Sequence, residues 1–360
     1  MNNCVLFVGP GEDKKSGRVG GITLPFRELE NYLLNEIEFL NRFSFFHLLG
    51  RNRVSLTICY LTAGFKIVFD RRYQYISLHC TYSSMVFFAP FLISANIFLG
   101  KSYTLRKFAG NFDDLFDEAN FISKYLLTRL MSRACITFFE TKYLVDWASE
   151  KGLSVGWWPN SRSAPAENYE AQIEPEVIVR DQQHSRLELV FVGTVSEEKG
   201  VFRLKSLAKN VPEVDIVIYG PATDDVLKEL LKGASPNFFY KGSVNHDQVL
   251  EVIYNADALL VPTAWPAEGY PGVMIEAAQA GTPVICSPAR GPKELLNSLS
   301  GLGWTVDFDS YYEIKRLLPK VISHGTFTER QKLAQHARRF ETRNVLPSVL
   351  SVVFKDGASC

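Results

Sequence analysis

Two carboxylates, Glu268 and Glu276, stand eight positions apart in residues 258–287, ALLVPTAWPAEGYPGVMIEAAQAGTPVICS, with Gly272 between them. An ionised carboxylate only accepts hydrogen bonds, so near a phosphate it suits the vicinal hydroxyls of a ribose or sugar rather than the phosphate itself. The pattern around the pair predicts a buried strand over 258–262, a long loop, a short helix over 273–280 stopped by Gly281 and Pro283, and a second buried strand from Val284. Gly272 lets backbone approach a ligand closely. The helix behind it offers unpaired N–H groups and the positive end of its dipole to an anion. Helical side chains lean back toward the N-terminus, which aims Glu276 at the helix mouth. The plainer alternative is that Glu276 only complements the helix dipole.

The rest of the chain must build the platform for that loop. At 360 residues it has room for two core-forming domains, and 46% hydrophobic with 22% charged residues is the balance of a soluble globular protein. A net charge of zero gives no global pull toward nucleic acid or membrane. Charge is uneven, however: between Asn41 and Arg72 stand Arg42, Arg51, Arg53, Lys66, Arg71 and Arg72, opposed by Asp70 alone. Six scattered cysteines with no C-x-x-C pair read as reduced thiols of a cytoplasmic protein, and MNNCVLFVGPG lacks the basic and apolar regions of a signal peptide. Residues 85–99 are apolar enough to raise a membrane span, but Pro90, Ser94 and Asn96 interrupt them; a strand followed by a buried helix is the expected reading.

Along the chain, a strand over 4–8 leads into a loop holding Gly9, Gly11, Gly17, Gly20 and Gly21, and a helical spacing begins at Leu24. This is the opening of a Rossmann-like half without the G-x-G-x-x-G fingerprint. Residues 41–72 fit a strand pair or a helix–strand unit, and strands follow over 75–80, 102–108 and 134–140, with helices over 119–132 and 142–151. His79 reads as a strand-end histidine rather than a catalytic one. Residues 160–186, rich in Pro, Glu, Gln and Ser, are the linker candidate. Strands over 187–193, 215–220, 238–242 and 258–262 then alternate with helices, the pattern of a doubly wound sheet with ligands at the carboxyl ends of its strands. The D-x-D at Asp307–Asp309 is expected to be a strand-end turn rather than a metal site, and helices close the chain near 329–340 and 344–354.

The run EGYPGVMIEAAQAGTPVI resembles the E-x7-E segment of retaining glycosyltransferases of family 4 almost position by position. That resemblance implies two Rossmann-like, doubly wound α/β domains facing each other across a cleft, the B-type glycosyltransferase fold. It implies a first, acceptor-side domain over 1–165, a linker over 166–186, a nucleotide-sugar domain over 187–340 and a final helix over 341–360 that returns to the first domain. By the same resemblance Glu276 holds the ribose hydroxyls, Glu268 the donor sugar, and Lys199 with Gly272, Val273 and Tyr270 the region of the pyrophosphate. Gly242 and Val244 hold the base by backbone contacts, and Gly20 and Gly21 close from the other domain. Two departures stand out. Thr194 occupies a donor-loop position where arginine is usual, and the strand matching 102–108 ends in Arg106, Lys107 and Phe108 where many members place a histidine. Arg106 is the candidate donor to a sugar or phosphate oxygen on the acceptor side.

The expected activity is transfer of a sugar from a nucleotide-diphosphate sugar to a hydroxyl of a glycan or lipid-linked glycan, with retention, in cell-surface polysaccharide biosynthesis. No metal and no cofactor beyond the donor are expected, nor any nucleic-acid partner. The alternatives are a sugar-nucleotide epimerase on the same fold and a non-catalytic nucleotide-sugar-binding pseudoenzyme. A cytoplasmic location is expected; Phe43, Phe45, Phe46, Leu48 and Leu49 set among Arg42, Arg51 and Arg53 either make peripheral contact with the inner face of the membrane or fill the first domain's core with the arginines as a solvated rim.

Overall fold

The computed structural model describes residues 4–12, 21–36, 42–50, 52–163 and 186–356. Gly20, Arg51 and residues 164–185, most of the expected linker, lie outside them. The chain divides into two units, Met1–Ser163 with Thr342–Cys360, and Ala164–Glu341.

In the first unit six strands form one parallel sheet: β1 (Cys4–Pro10), β2 (Phe43–Leu48), β3 (Tyr73–Cys80), β4 (Ser102–Lys107), β5 (Ile136–Phe139) and β6 (Val155–Trp157), ordered β2-β1-β3-β4-β5-β6. A parallel sheet is covered on both faces, which is why β1 reads as a nearly unbroken apolar run. One face packs on α2 (Arg53–Phe69), α3 (Tyr82–Leu99) and α5 (Phe121–Arg133) through Ile67, Phe88, Leu92 and Leu130. The other packs on α1 (Thr23–Asn35) and on α14 (Thr342–Asp356), the last helix of the chain. The short α4 (Phe112–Asp117) and α6 (Lys142–Glu150) complete the unit.

Local chemistry sets the helix ends. Asn52 and Ser55 form a reciprocal capping box at the start of α2, and Thr81 with Ser84 forms another at the start of α3, each satisfying N–H groups that the helix leaves open. α3 stops at Gly100, whose φ of 63° is the left-handed conformation glycine adopts without strain. α3 alone among the described helices is long and apolar enough to cross a bilayer. It packs instead between α2 and α5, and Arg133 Nη1 donates to Asn96 Oδ1 at 3.0 Å across that seam.

Residues 41–72 resolve into β2 and α2, and β2 carries most of the apolar side chains expected at the membrane toward the sheet. Phe43, Phe45 and Phe46 are partly buried against the sheet cores, Leu48 is buried, and Arg42 stacks over Phe354 on the α14 side. The aromatic side chains are core, because Phe45 stacks on Phe7 of the neighbouring strand at 5.1 Å.

The second unit repeats the plan with β7 (Leu187–Val192), β8 (Val214–Tyr219), β9 (Phe238–Tyr240), β10 (Ala258–Val261), β11 (Val284–Cys286) and β12 (Gly303–Thr305), all parallel, in the order β12-β11-β10-β7-β8-β9. Its helices are α7 (Val201–Asn210), α8 (Asp224–Leu231), α9 (His246–Tyr254), α10 (Gly272–Gln279), α11 (Arg290–Ser298), α12 (Tyr311–His324) and α13 (Phe327–Ala337). Counted within the unit the strand order is that of a dinucleotide-binding sheet, and its direction of winding reverses between β7 and β10.

The two units share a chain twice, and the second passage is tied down. Thr342 N donates to Arg162 O at 2.8 Å, and Glu28 Oε2 accepts from both Ser163 Oγ and Thr342 Oγ1. From there α14 buries Val345, Leu346, Val349, Leu350 and Val353 against Phe7, Phe26 and Leu29. Leu350 is fully enclosed. Leu350→Ala is therefore expected to destabilise the first unit by about 2–5 kcal/mol, the range for removing a buried leucine side chain. A urea midpoint by intrinsic fluorescence that is unchanged in the variant would show that α14 is not part of this core.

Candidate functional site

The carboxyl ends of β7 and β10 lie side by side at the reversal in the second sheet, where a parallel sheet leaves a crevice. From β7 the chain runs through Thr194 to Lys199 before α7; from β10 it runs through Thr263 to Glu268 before α10. Lys199 Nζ donates to Glu268 Oε2 at 2.5 Å, and sits 5.1 Å from the centre of the Trp265 ring. Glu268 is the more enclosed partner, with 11% of its side chain exposed against 28% for Lys199. The pair therefore keeps one solvent-reachable cation beside a carboxylate already held in place.

Backbone contacts fix this geometry. Gly200 has a φ of 79°, and a Cβ there would stand 2.2 Å from Pro262 O, so the loop after β7 lies directly on the end of β10. Across the loop, a Cβ on Gly291 would stand 2.1 Å from Gly269 O and 2.5 Å from Glu268 O, so α11 presses on the backbone that carries Glu268. Ala264 N donates to Glu198 O at 3.2 Å, joining the two loops. The Thr263 hydroxyl lies 3.3 Å from both Glu268 Oε2 and Glu198 O and accepts from Trp265 N at 3.2 Å; Ser287 Oγ donates to Thr263 O.

α10 begins at Gly272 behind an N-cap proline, Pro271, with no side-chain cap on its first N–H groups. Gly272 is buried, Val273 half-buried, and Glu276 buried on the same helix. An uncapped N-terminus at the end of the loop that carries Glu268, which Lys199 meets from the neighbouring loop, is a place for an anion. Gly242, with a φ of 81°, ends the strand region of β9, and its carbonyl accepts from Gly220 N at 2.9 Å; Val244 follows half-buried, just before α9. Thr194 is exposed at the end of β7, and Gly21 is exposed just before α1 in the other unit.

Two expected residues are placed elsewhere. Tyr270 is turned into the core, where its hydroxyl donates to Glu294 Oε1 at 2.5 Å and its ring meets Phe340 edge-on. Arg106, expected to donate to a sugar or phosphate oxygen, is instead enclosed in the first unit. Its guanidinium lies 4.2 Å from the Trp158 ring centre and 4.9 Å from that of Phe108, and Nη2 donates to Pro159 O at 3.4 Å. Alternation along β4 explains this: Arg106 points to the α1 and α14 face, where Trp158 fills the core. Burial pushes its pKa down to about 9, and that of Lys107 to about 8. The D-x-D forms a turn into α12: Asp309 N donates to Asp307 Oδ1 at 3.0 Å, and Asp309 pairs with Arg203 at 3.7 Å. Sequence reasoning missed Thr263, Trp265 and Gly291. Thr263 and Trp265 fall two and four residues after β10, inside the loop already singled out, whereas Gly291 shows its role only through the fold.

Residues 176–340 match the family model described as glycosyl transferases group 1. The match runs nearly the length of the second unit and supports placing the chain among the glycosyltransferases. A protein of the cps region of Klebsiella pneumoniae, described as an uncharacterized 41.2 kDa protein, is 23% identical over 286 residues, 76% of either chain. A GDP-mannose-dependent alpha-mannosyltransferase of Mycobacterium tuberculosis is 31% identical over 150 residues, 41% of this chain and 36% of that one. Among solved structures, Anabaena Alr3699/HepE in complex with UDP aligns with a TM-score of 0.68 at 14% identity, covering 98% of this chain and 100% of the other. At that identity the likeness concerns the fold, two Rossmann-like doubly wound units of the B-type glycosyltransferase class. The loops after β7 and β10 both lie inside the matched residues.

In the first unit His79 is wholly buried at the end of β3, among Phe7, Phe26, Phe108 and Trp158, with Nε2 3.1 Å from Ser77 Oγ and no partner for Nδ1. Burial, and then the charge of Arg106, hold its pKa well below the ordinary 6.5. Below pH 6.5 the unfolded chain takes up a proton that the folded one refuses, so His79 makes stability fall as pH is lowered from that value, by up to about 1.4 kcal/mol per pH unit. His79→Leu is expected to flatten that part of the stability–pH curve. Parallel curves for the variant and the parent between pH 6.5 and 5 would rule this out.

Proposed function

We propose that this protein transfers a sugar, with retention at the anomeric carbon, from a nucleotide-diphosphate sugar to a hydroxyl of a glycan or lipid-linked glycan in cell-surface polysaccharide synthesis, as a member of glycosyltransferase family 4. The observation that carries the reading is the Lys199–Glu268 pair at the carboxyl ends of β7 and β10, beside the uncapped start of α10. Sugar transfer from such a donor needs a site that stabilises a departing diphosphate and orients a sugar ring. Lys199 and the first N–H groups of α10 supply positive charge for the diphosphate. Glu268, held by Lys199 and Thr263, accepts from sugar hydroxyls, and Glu276 accepts from the ribose. The base lies against the backbone at Gly242 and Val244. Thr194 contributes a hydroxyl where a second cation would otherwise stand, which leaves Lys199 with the larger share of the charge on this loop.

No covalent nucleophile is required. The departing phosphate oxygen takes the acceptor proton on the face it leaves, so the new bond forms on that same face, and positioning with charge stabilisation supplies most of the rate. The relatives support the class of reaction: the Mycobacterium tuberculosis protein is named for mannosyl transfer from GDP-mannose, and the Anabaena structure holds UDP. The free thiols Cys4, Cys59, Cys80, Cys135 and Cys286 agree with a cytoplasmic place of work.

Glu276→Ala is expected to weaken nucleotide binding by about 1–3 kcal/mol, the scale of hydrogen bonds to a charged group. Unchanged affinity by calorimetry on a folded variant would remove Glu276 from the ribose. Because lysine and a helix terminus neutralise the diphosphate in this reading, turnover is expected to persist in EDTA. Loss of turnover with rescue by magnesium or manganese would contradict it.

A further inference from the structure

Helix α2 turns a stripe of large apolar side chains to solvent along its whole length. Val54 is 68% exposed, Ile58 59%, Leu61 40%, Phe65 55% and Phe69 70%, at spacings of four, three, four and four, which is one face of an α-helix about 25 Å long. The stripe continues onto the end of α3, where Ile97, Phe98 and Leu99 are 49%, 79% and 48% exposed. The two helix ends are joined, since Lys101 Nζ donates to Ile67 O and Asp70 O at 2.8 Å each, and Phe65 packs on both Phe69 and Phe91. Single exposed leucines are ordinary on a soluble protein, but a continuous face of this kind marks a contact surface.

Three features say what the face meets. It is hemmed by positive charge: Arg53 opens α2, and Arg71 and Arg72 follow its end, all exposed. α2 holds no acidic residue, and Asp70 just beyond it is already engaged by Arg72 at 2.7 Å and Lys66 at 3.5 Å. The hydroxyls on the outer side of α2 are turned back into the helix, Thr57 Oγ1 onto Arg53 O at 2.9 Å and Thr62 Oγ1 onto Ile58 O at 2.8 Å. Nothing polar on the face therefore needs water. A second copy placed on the same face by a twofold axis would set arginines near arginines with no free acid between them.

We infer that the α2 face and the end of α3 form a docking surface for an anionic lipid bilayer, with α2 lying in the interface plane and the arginines at the head groups. The inference rests on the first unit alone and does not depend on the glycosyl-transfer reading. Combined with that reading, it puts the enzyme at the inner face of the membrane, where a lipid-linked acceptor is presented.

Flotation of the full-length protein with vesicles tests it. The protein is expected to float with phosphatidylcholine–phosphatidylglycerol vesicles, to stay behind with phosphatidylcholine alone, and to be released as salt is raised. Ile58→Ser, Phe65→Ser and Phe69→Ser together are expected to abolish flotation while leaving the melting curve and nucleotide binding as in the parent. Arg53→Ser with Arg71→Ser is expected to lower partitioning by roughly fivefold for each arginine removed. Equal flotation with neutral vesicles, flotation that survives the triple substitution, or no flotation together with a concentration-dependent dimer that the triple substitution dissolves would each overturn the inference. Nucleotide binding by the parent protein is read separately, so its failure would count against the proposed reaction and not against the bilayer.

Discussion

No side chain fits at Gly200 or Gly291, where backbone meets backbone at the carboxyl end of the second sheet, and the site depends on that. The loop after β7 lies on the end of β10 at Gly200, and α11 lies on the backbone of Glu268 and Gly269 at Gly291. With the loops stacked backbone to backbone, Lys199 and Glu268 need reach only a short way to meet at 2.5 Å. The lysine could otherwise sample many rotamers in water, and holding it in one is part of what a preorganised anion site requires. The same stacking gives Glu268 a second neighbour in Thr263, so the carboxylate keeps its orientation even when the lysine turns toward a ligand.

The first unit is organised by a different demand, that a parallel sheet be covered on both faces. α2, α3 and α5 cover one, and α1 with α14 the other. That coverage explains why the end of β4 carries Arg106 inward, stacked on Trp158, and why His79 is dry and neutral beside it. It also explains the exposed stripe: α2 buries Ala63, Gly64 and Ile67 toward the sheet and α3, which leaves its opposite face without a partner among the described residues.

Much of this plan is legible in the sequence, for physical reasons that differ by region. β1, β7, β8 and β10 are mostly apolar runs bounded by glycine, proline or polar turns, and parallel strands buried on both faces have to look that way. The 258–287 loop stands out because a carboxylate pair, a glycine and a helix start are adjacent in the chain. Arg106 and Tyr270 are harder, since a polar side chain near a strand end or loop reads as functional until its face is known; each is turned inward by a partner distant in sequence, Trp158 for one and Glu294 for the other. For the same reason the aromatics of β2 resemble a membrane-seeking patch, while the exposed stripe of α2 is diluted by the buried residues between its members.

The central claim is that the Lys199–Glu268 loops form the diphosphate end of a nucleotide-sugar pocket. A crystal structure of the protein with uridine diphosphate tests it most directly. The account predicts phosphate oxygens within hydrogen-bond distance of Lys199 Nζ and of the N–H groups that open α10, with the ribose at Glu276. A nucleotide bound away from these loops, with Lys199 still closed on Glu268, would contradict it.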